Sequence, residues 1–164
     1  MVSVKWCLQQ KNGLELIESN ATMADSYLNM AEKTLPVQQA VLSSDIWTAT
    51  TTYYIFYYSL YALMLRIGIK CEIHSCSIAF MKEHLIIFYN KKDDEMLDKA
   101  FSARIDLQYY ADRPVDAKII EETRKHSKIF YIKTKDAIAK ITEEQIASIR
   151  EALNKDTHNR EKNY

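Results

Sequence analysis

Thirteen consecutive residues, Tyr53 to Leu65 (YYIFYYSLYALML), hold five of the chain's eleven tyrosines, with Ser59 almost the only polar side chain among them. A helix that is apolar on every face has to be enclosed by other helices or by lipid. The run is shorter than the roughly 18 to 20 residues that a membrane crossing needs. Five phenols would also be poorly placed in hydrocarbon, because each hydroxyl wants a partner. Thr48 and Thr50 to Thr52 precede the run, and Arg66 and Gly68 close it. The sequence therefore predicts a central helix inside a soluble bundle, with an all-α fold: an up-and-down helical bundle of four to six helices.

Two glycines and two prolines in 164 residues leave little turn chemistry. Long elements with short connections follow, and these favour helices over many short strands. The length suits a single domain that buries roughly two-thirds of its unfolded surface. With 22 basic and 22 acidic side chains there is no global field to drive nonspecific nucleic-acid binding, so any such role needs a local basic patch. The first residues (MVSVKWCLQQKNG) lack the uninterrupted apolar core of a signal peptide. Three cysteines, an odd number, do not make a disulfide framework. Reduced thiols and a cytoplasmic location are expected, with no membrane partner.

The stretch to Ser19 reads as a short helix or an ordered arm. Asn20 caps a helix in which Met23, Tyr27, Met30, Ala31, Thr34 and Leu35 recur at three- and four-residue spacings. Pro36 is expected to kink or interrupt it, with Val37 to Leu42 continuing. Asp45 is the expected cap of the central helix, Ile46 to Ile67, and Gly68 its C-terminal cap. A third helix runs from about His74 to Phe88. A charged turn, Asn90 to Asp94, leads to a fourth from about Asp94 to Ala111, and a fifth runs from Val115 to about Ile141. Thr142 and Gln145 form a capping box that opens a last helix to about Asn154, before a polar tail over 155–164.

The order of short motifs is distinctive. Ala31 to Leu35 (AEKTL) comes first, then a small polar lead-in to Tyr53, Tyr54, Tyr57, Ser59 and Ala62. Gly68 and the pair His74 and Ser75 follow. Ala103, Arg104, Tyr109, Tyr110 and Asp112 come next, and the late helix has an Ile-Phe-Tyr centre. Over roughly residues 20–141 this arrangement resembles the HEPN superfamily, in particular its small prokaryotic stand-alone members. The resemblance implies a bundle of four or five helices and commonly a homodimer. Many family members are metal-independent endoribonucleases, often the toxin half of a pair with a minimal nucleotidyltransferase. Their signature is an arginine followed after four to six residues by a histidine, which puts a phosphate-holding guanidinium and a proton-moving imidazole on one helix face.

That signature is absent here. After Arg104 the permitted positions are Tyr109, Tyr110 and Ala111, and no other arginine supplies a histidine at those offsets. A tyrosine, with an ordinary pKa of about 10, is a poor base at neutral pH. Arg104 with Tyr109, Tyr110 and Asp112 is then either a phosphate or nucleotide contact or a packing network with an acid on a neighbouring helix. Asp106 is too close in sequence to share its face. His74 either opens the third helix or supplies an imidazole to Arg66 or Arg104. Arg124, Lys125 and Lys128 belong to the best local basic patch for RNA, which is otherwise a solvated face. Cys71, His74 and Cys76 fall short of a structural zinc set, because Cys7 is remote in sequence. No Glu-x-x-His pair and no glycine-rich phosphate loop occurs, so neither metal nor cofactor is expected. Three functions remain open: a binding or partner module that contacts RNA, nucleotide or a nucleotidyltransferase; a divergent endoribonuclease using Arg104 with His74 or Tyr109; and a structural dimer without chemistry.

Overall fold

The computed structural model describes residues 2–110 and 112–158. Their elements are, in chain order, α1 (Val4–Cys7), β1 (Glu15–Leu16), α2 (Ala21–Ala40), α3 (Asp45–Ile67), β2 (Ile69–Lys70), α4 (His74–His84), α5 (Lys91–Tyr109), α6 (Ala117–Lys140) and α7 (Glu143–His158). The all-α bundle is as expected, with seven helices where four to six were anticipated. The additional elements are the four-residue α1 and a two-stranded antiparallel sheet that pairs Glu15 with Lys70 and Leu16 with Ile69. Among the described residues no helix is long and apolar enough to cross a membrane.

The tyrosine-rich run lies in α3, which is enclosed on nearly every side. On α2, Tyr27 meets Tyr61 edge-on, and Ala31 packs against Ile55. Phe130 of α6 meets Phe56, and Phe101 of α5 meets Tyr53. Ser44, rather than Asp45, caps α3 by accepting from the Trp47 N–H; Asp45 is the first helical residue, where its charge faces the positive helix end. Gly68 ends the helix at φ 86°, a left-handed conformation that side chains rarely adopt. A Cβ there would also stand 2.2 Å from Arg150 Nη1. That guanidinium, reaching over from α7, donates to the carbonyls of Ile17 (2.7 Å), Ile67 (3.0 Å) and Gly68 (2.9 Å).

Other boundaries moved for identifiable reasons. Helix α2 runs through Pro36 to Ala40; the lost hydrogen bond and the crowding of the proline ring against the preceding turn are offset by Gln38, anchored inside by bonds to Thr52 and Ser127. Helix α4 stops at His84, four residues before the expected end. The charged segment after Asn90 is the first turn of α5, not a loop: Asn90 accepts from the N–H of Asp93, whose carboxylate accepts from the Asn90 N–H at 2.8 Å. The expected end of that helix, Ala111, lies outside the described residues. Asp116 caps α6, so the helix begins two residues after Val115. The Thr142 and Gln145 capping box is formed (3.0 and 3.2 Å), and α7 continues past Asn154 to His158. Residues 159–164 of the expected tail lie outside the described part.

Two features were not anticipated. Cys7 and Cys76 form a disulfide that ties α1 to α4, so the expectation of three reduced thiols is corrected. Their separation of 69 residues along the chain is spanned by the α2–α3 hairpin and the small sheet. Cys71 remains a buried free thiol. The second feature is the fully buried carboxylate of Asp93, which meets His126 Nε2 at 2.9 Å and the Lys133 ammonium. Burial raises its pKa, but Lys133, the Asn90 N–H and His126 outweigh burial and hold it below the ordinary carboxylate range.

Two measurements check these features. Labelling of the unfolded chain with a maleimide should modify one thiol without reductant and three after dithiol treatment. Cys76→Ser should lower stability by about 2–4 kcal/mol in oxidised protein. Asp93→Asn should cost about 3 kcal/mol in denaturant unfolding, the lower end for a buried pair because Lys133 keeps contact with water. Since the folded carboxyl has a depressed pKa, its contribution is complete above about pH 4 and is lost as pH falls through the folded value; the variant should lack that acid limb.

Candidate functional site

Helix α5 delivers Arg104 to its seam with α3. The guanidinium carbon lies 5.6 Å from the ring centre of Tyr53, 5.7 Å from that of Tyr54 and 5.6 Å from that of Tyr109. Those distances are within the range of cation–π attraction. One long hydrogen bond, 3.5 Å from Nη2 to the Tyr54 hydroxyl, is its only hydrogen bond among the described residues, and the buried Nε has no acceptor. No carboxylate pairs with Arg104 in the described part; Asp106 pairs with Arg113 instead, at 3.3 Å. The packing network with an acid that the sequence left open is therefore absent from the described residues.

His74, the first residue of α4, belongs to the same cluster. The Tyr53 hydroxyl lies 2.6 Å from His74 Nδ1, and the Tyr57 ring stacks on the imidazole with 4.0 Å between centres and 9° between planes. Burial and then the positive charge of Arg104 hold the imidazole pKa below its ordinary value, favouring the neutral ring. Burial, reinforced by Tyr57 and Tyr54 against the opposing effect of Arg104, pushes the Tyr53 phenol far up, so it keeps its proton. Thus Arg104, Tyr109 and His74, three residues singled out in the sequence, are joined through two tyrosines of the central run.

The outer side of this cluster is a stripe of α3 that no other helix fully covers. Trp47, Thr51, Tyr54 and Tyr58 recur at spacings of four, three and four residues, which places them on one helix face. Tyr54 and Tyr58 stack with 5.2 Å between centres, and Tyr27 of α2 borders them. Tyr109 is 66 % exposed and Trp47 57 %, so both offer open ring faces.

The other expected residues lie apart. Tyr110 turns to Arg113, whose guanidinium carbon sits 3.7 Å from its ring centre, and Asp112 is exposed in the turn beyond. Arg124 and Lys128 line a cleft of about 470 Å³ between α2 and α6 with Pro36 and Gln38. Gln38 binds Thr52, and Thr52 and Tyr54 project about 200° apart around α3. The basic cleft therefore opens on the far side of the central helix from Arg104. Arg124 is already engaged by Glu121 through two bonds of 2.7 and 2.8 Å, while Lys128 has no acidic partner among the described residues. Cys76 is committed to the disulfide. Among the described residues, Glu83, His84 and Asp156 bring ligand atoms within 4.8 Å of one another at the α4–α7 contact, at the opposite end of α4 from His74.

No known family model matches the sequence, and no curated protein matches it. The geometry alone thus carries the functional argument. The sequence favoured core packing for the tyrosine run over base stacking or contact with a second copy, and did not separate Tyr53 from Tyr54; the signal that separates them is the stripe from Trp47 to Tyr58, legible once α3 is known to lack cover there. The link from Tyr53 to His74 spans a reversal of the chain and leaves no local pattern.

Arg104→Gln should raise the His74 pKa, because loss of a positive neighbour favours the imidazolium. It should stay below the ordinary histidine value of about 6.5, since burial, the larger cause, persists. A proton NMR titration of the His74 ring reads this directly; an unchanged midpoint would show that the two groups are not electrostatically coupled.

Proposed function

We propose that this chain is a HEPN-like helical module that holds RNA or a nucleotide phosphate through Arg104, with Tyr54 and Tyr109 as flanking contacts. The observation that carries this is the guanidinium lodged among three tyrosine rings with no carboxylate beside it among the described residues. An arginine fork matches the paired oxygens of a phosphate, and exposed aromatic faces stack on bases without demanding a sequence. The resemblance adds a homodimer and a nucleotidyltransferase-type protein partner, in the cytoplasmic setting read from the sequence; the uncovered stripe of α3 supports a partner surface. Cleavage is the second reading, favoured by the proximity of His74 to Arg104 within one cluster.

Anisotropy of a fluorescent single-stranded RNA, measured in chelator, tests both. Wild type should bind, Arg104→Ala should weaken binding about tenfold or more, and Tyr109→Ala should weaken it by about fivefold or more. Lys128→Ala, on the opposite side of α3, should leave affinity near wild type. Equal affinities for wild type and Arg104→Ala would retire this site. RNA cut by wild type in chelator and spared by Arg104→Ala would make the module an endoribonuclease.

A further inference from the structure

We propose that Tyr53 is a positioning residue that locks His74 in its Nε2–H tautomer, so that His74 and Arg104 together form a two-donor clamp for the oxygens of a phosphodiester. This rests on the phosphate-binding function proposed above and specifies what the imidazole does in it.

The assignment follows from what a buried hydroxyl can do. Tyr53 is fully buried on the inner side of α3, and His74 Nδ1, 2.6 Å away, is its only hydrogen-bonding partner among the described residues. A phenol can donate to an imidazole nitrogen or accept from an imidazole N–H. Were Tyr53 to accept, its own proton would be left in the interior without an acceptor, the costly arrangement for a buried polar group. Donation leaves no such orphan. Nδ1 then carries the lone pair, and the neutral ring must hold its proton on Nε2. The parallel Tyr57 ring at 4.0 Å restrains the imidazole from turning over and exchanging its nitrogens. Nε2 has no partner among the described residues and is not one of the buried polar atoms that lack one, and His74 is partly exposed, so the N–H it bears is available to a ligand.

The consequence is chemical. A neutral imidazole presenting Nε2–H donates a hydrogen bond and has no lone pair there with which to take a proton from a ribose hydroxyl. Arg104 likewise offers only donors. Two donor groups with no base between them suit a bound phosphodiester; they do not suit its cleavage through Nε2.

The test is a long-range proton–nitrogen correlation spectrum of uniformly ¹⁵N-labelled protein at neutral pH, with His74 assigned by comparison with His74→Gln. Wild type should show Nδ1 unprotonated and Nε2 protonated. Tyr53→Phe, which keeps the ring and loses the hydroxyl, should show a mixture of tautomers. A wild-type spectrum with the proton on Nδ1 overturns the positioning role, and so does an unchanged pattern in a folded Tyr53→Phe. The wild-type spectrum decides the tautomer by itself if that variant does not fold. Hexauridylate, and inorganic phosphate in a separate sample, should then shift the Nε2–H signal. The expected tautomer with no shift from either ligand overturns the clamp and the phosphate-binding function together. RNA binding that depends on Arg104, combined with the wrong tautomer, overturns the clamp alone.

Discussion

The enclosure of α3 is the constraint on which the remaining architecture depends. A helix with aromatic and aliphatic side chains around most of its circumference has no face to offer water, so α2, α5 and α6 have to line it and α4 has to close one end. That demand explains why the tyrosines differ in fate along one continuous run. Tyr53, Tyr57 and Tyr61 point where neighbours are densest, whereas Tyr54 and Tyr58 fall on the narrow arc that α2 and α5 leave uncovered. A helix needed for burial thereby also builds the floor of an open aromatic surface.

Cations in this protein are handled in contrasting ways, and the contrast is informative. Lys133 neutralises the buried Asp93 beside His126. Arg150 saturates three carbonyls where the N-terminal arm, the end of α3 and α7 converge. Arg124 grips Glu121 on its own helix. Each of these has an evident structural task. Arg104 is partly buried as they are, yet among the described residues it has ring faces around it and little else to bind. That so little of its hydrogen-bonding capacity is used among the described residues is the basis of the phosphate-binding function proposed above.

Much of the scaffold was legible from residue order. Asn20, Gly68 and the Thr142–Gln145 pair act within one turn of their own positions, and they punctuate the chain as their chemistry requires. At Pro36, where the sequence allowed either a break or a continuation, a tertiary contact goes with the continuation: Gln38 is held from the other side of the core. The early start of α5 rests on a local signal that went unread, the Asn90–Asp93 capping box. The site was half legible. Arg104 and Tyr109 share one helix and were singled out together through the resemblance of motif order. Tyr53 and His74 meet only because the chain reverses after Gly68, and Cys7 reaches Cys76 only because the arm folds back on α4. Periodicity carries no information about such meetings.

The disulfide has a topological effect separate from its energetics. It closes a covalent ring that contains β1, α2, α3 and β2, so the most deeply enclosed helix lies within a loop of the chain that is sealed at its base. The bend between α2 and α3, with Leu42 and Ser43 exposed, is an accessible point on that ring. A protease that cut there would not divide the molecule: both halves would stay joined through sulfur, with α2 still laid against α3. In an oxidising setting the protein can therefore lose a peptide bond at this exposed interhelical turn and remain one particle, whereas in a reducing one the same nick would split it into separable pieces.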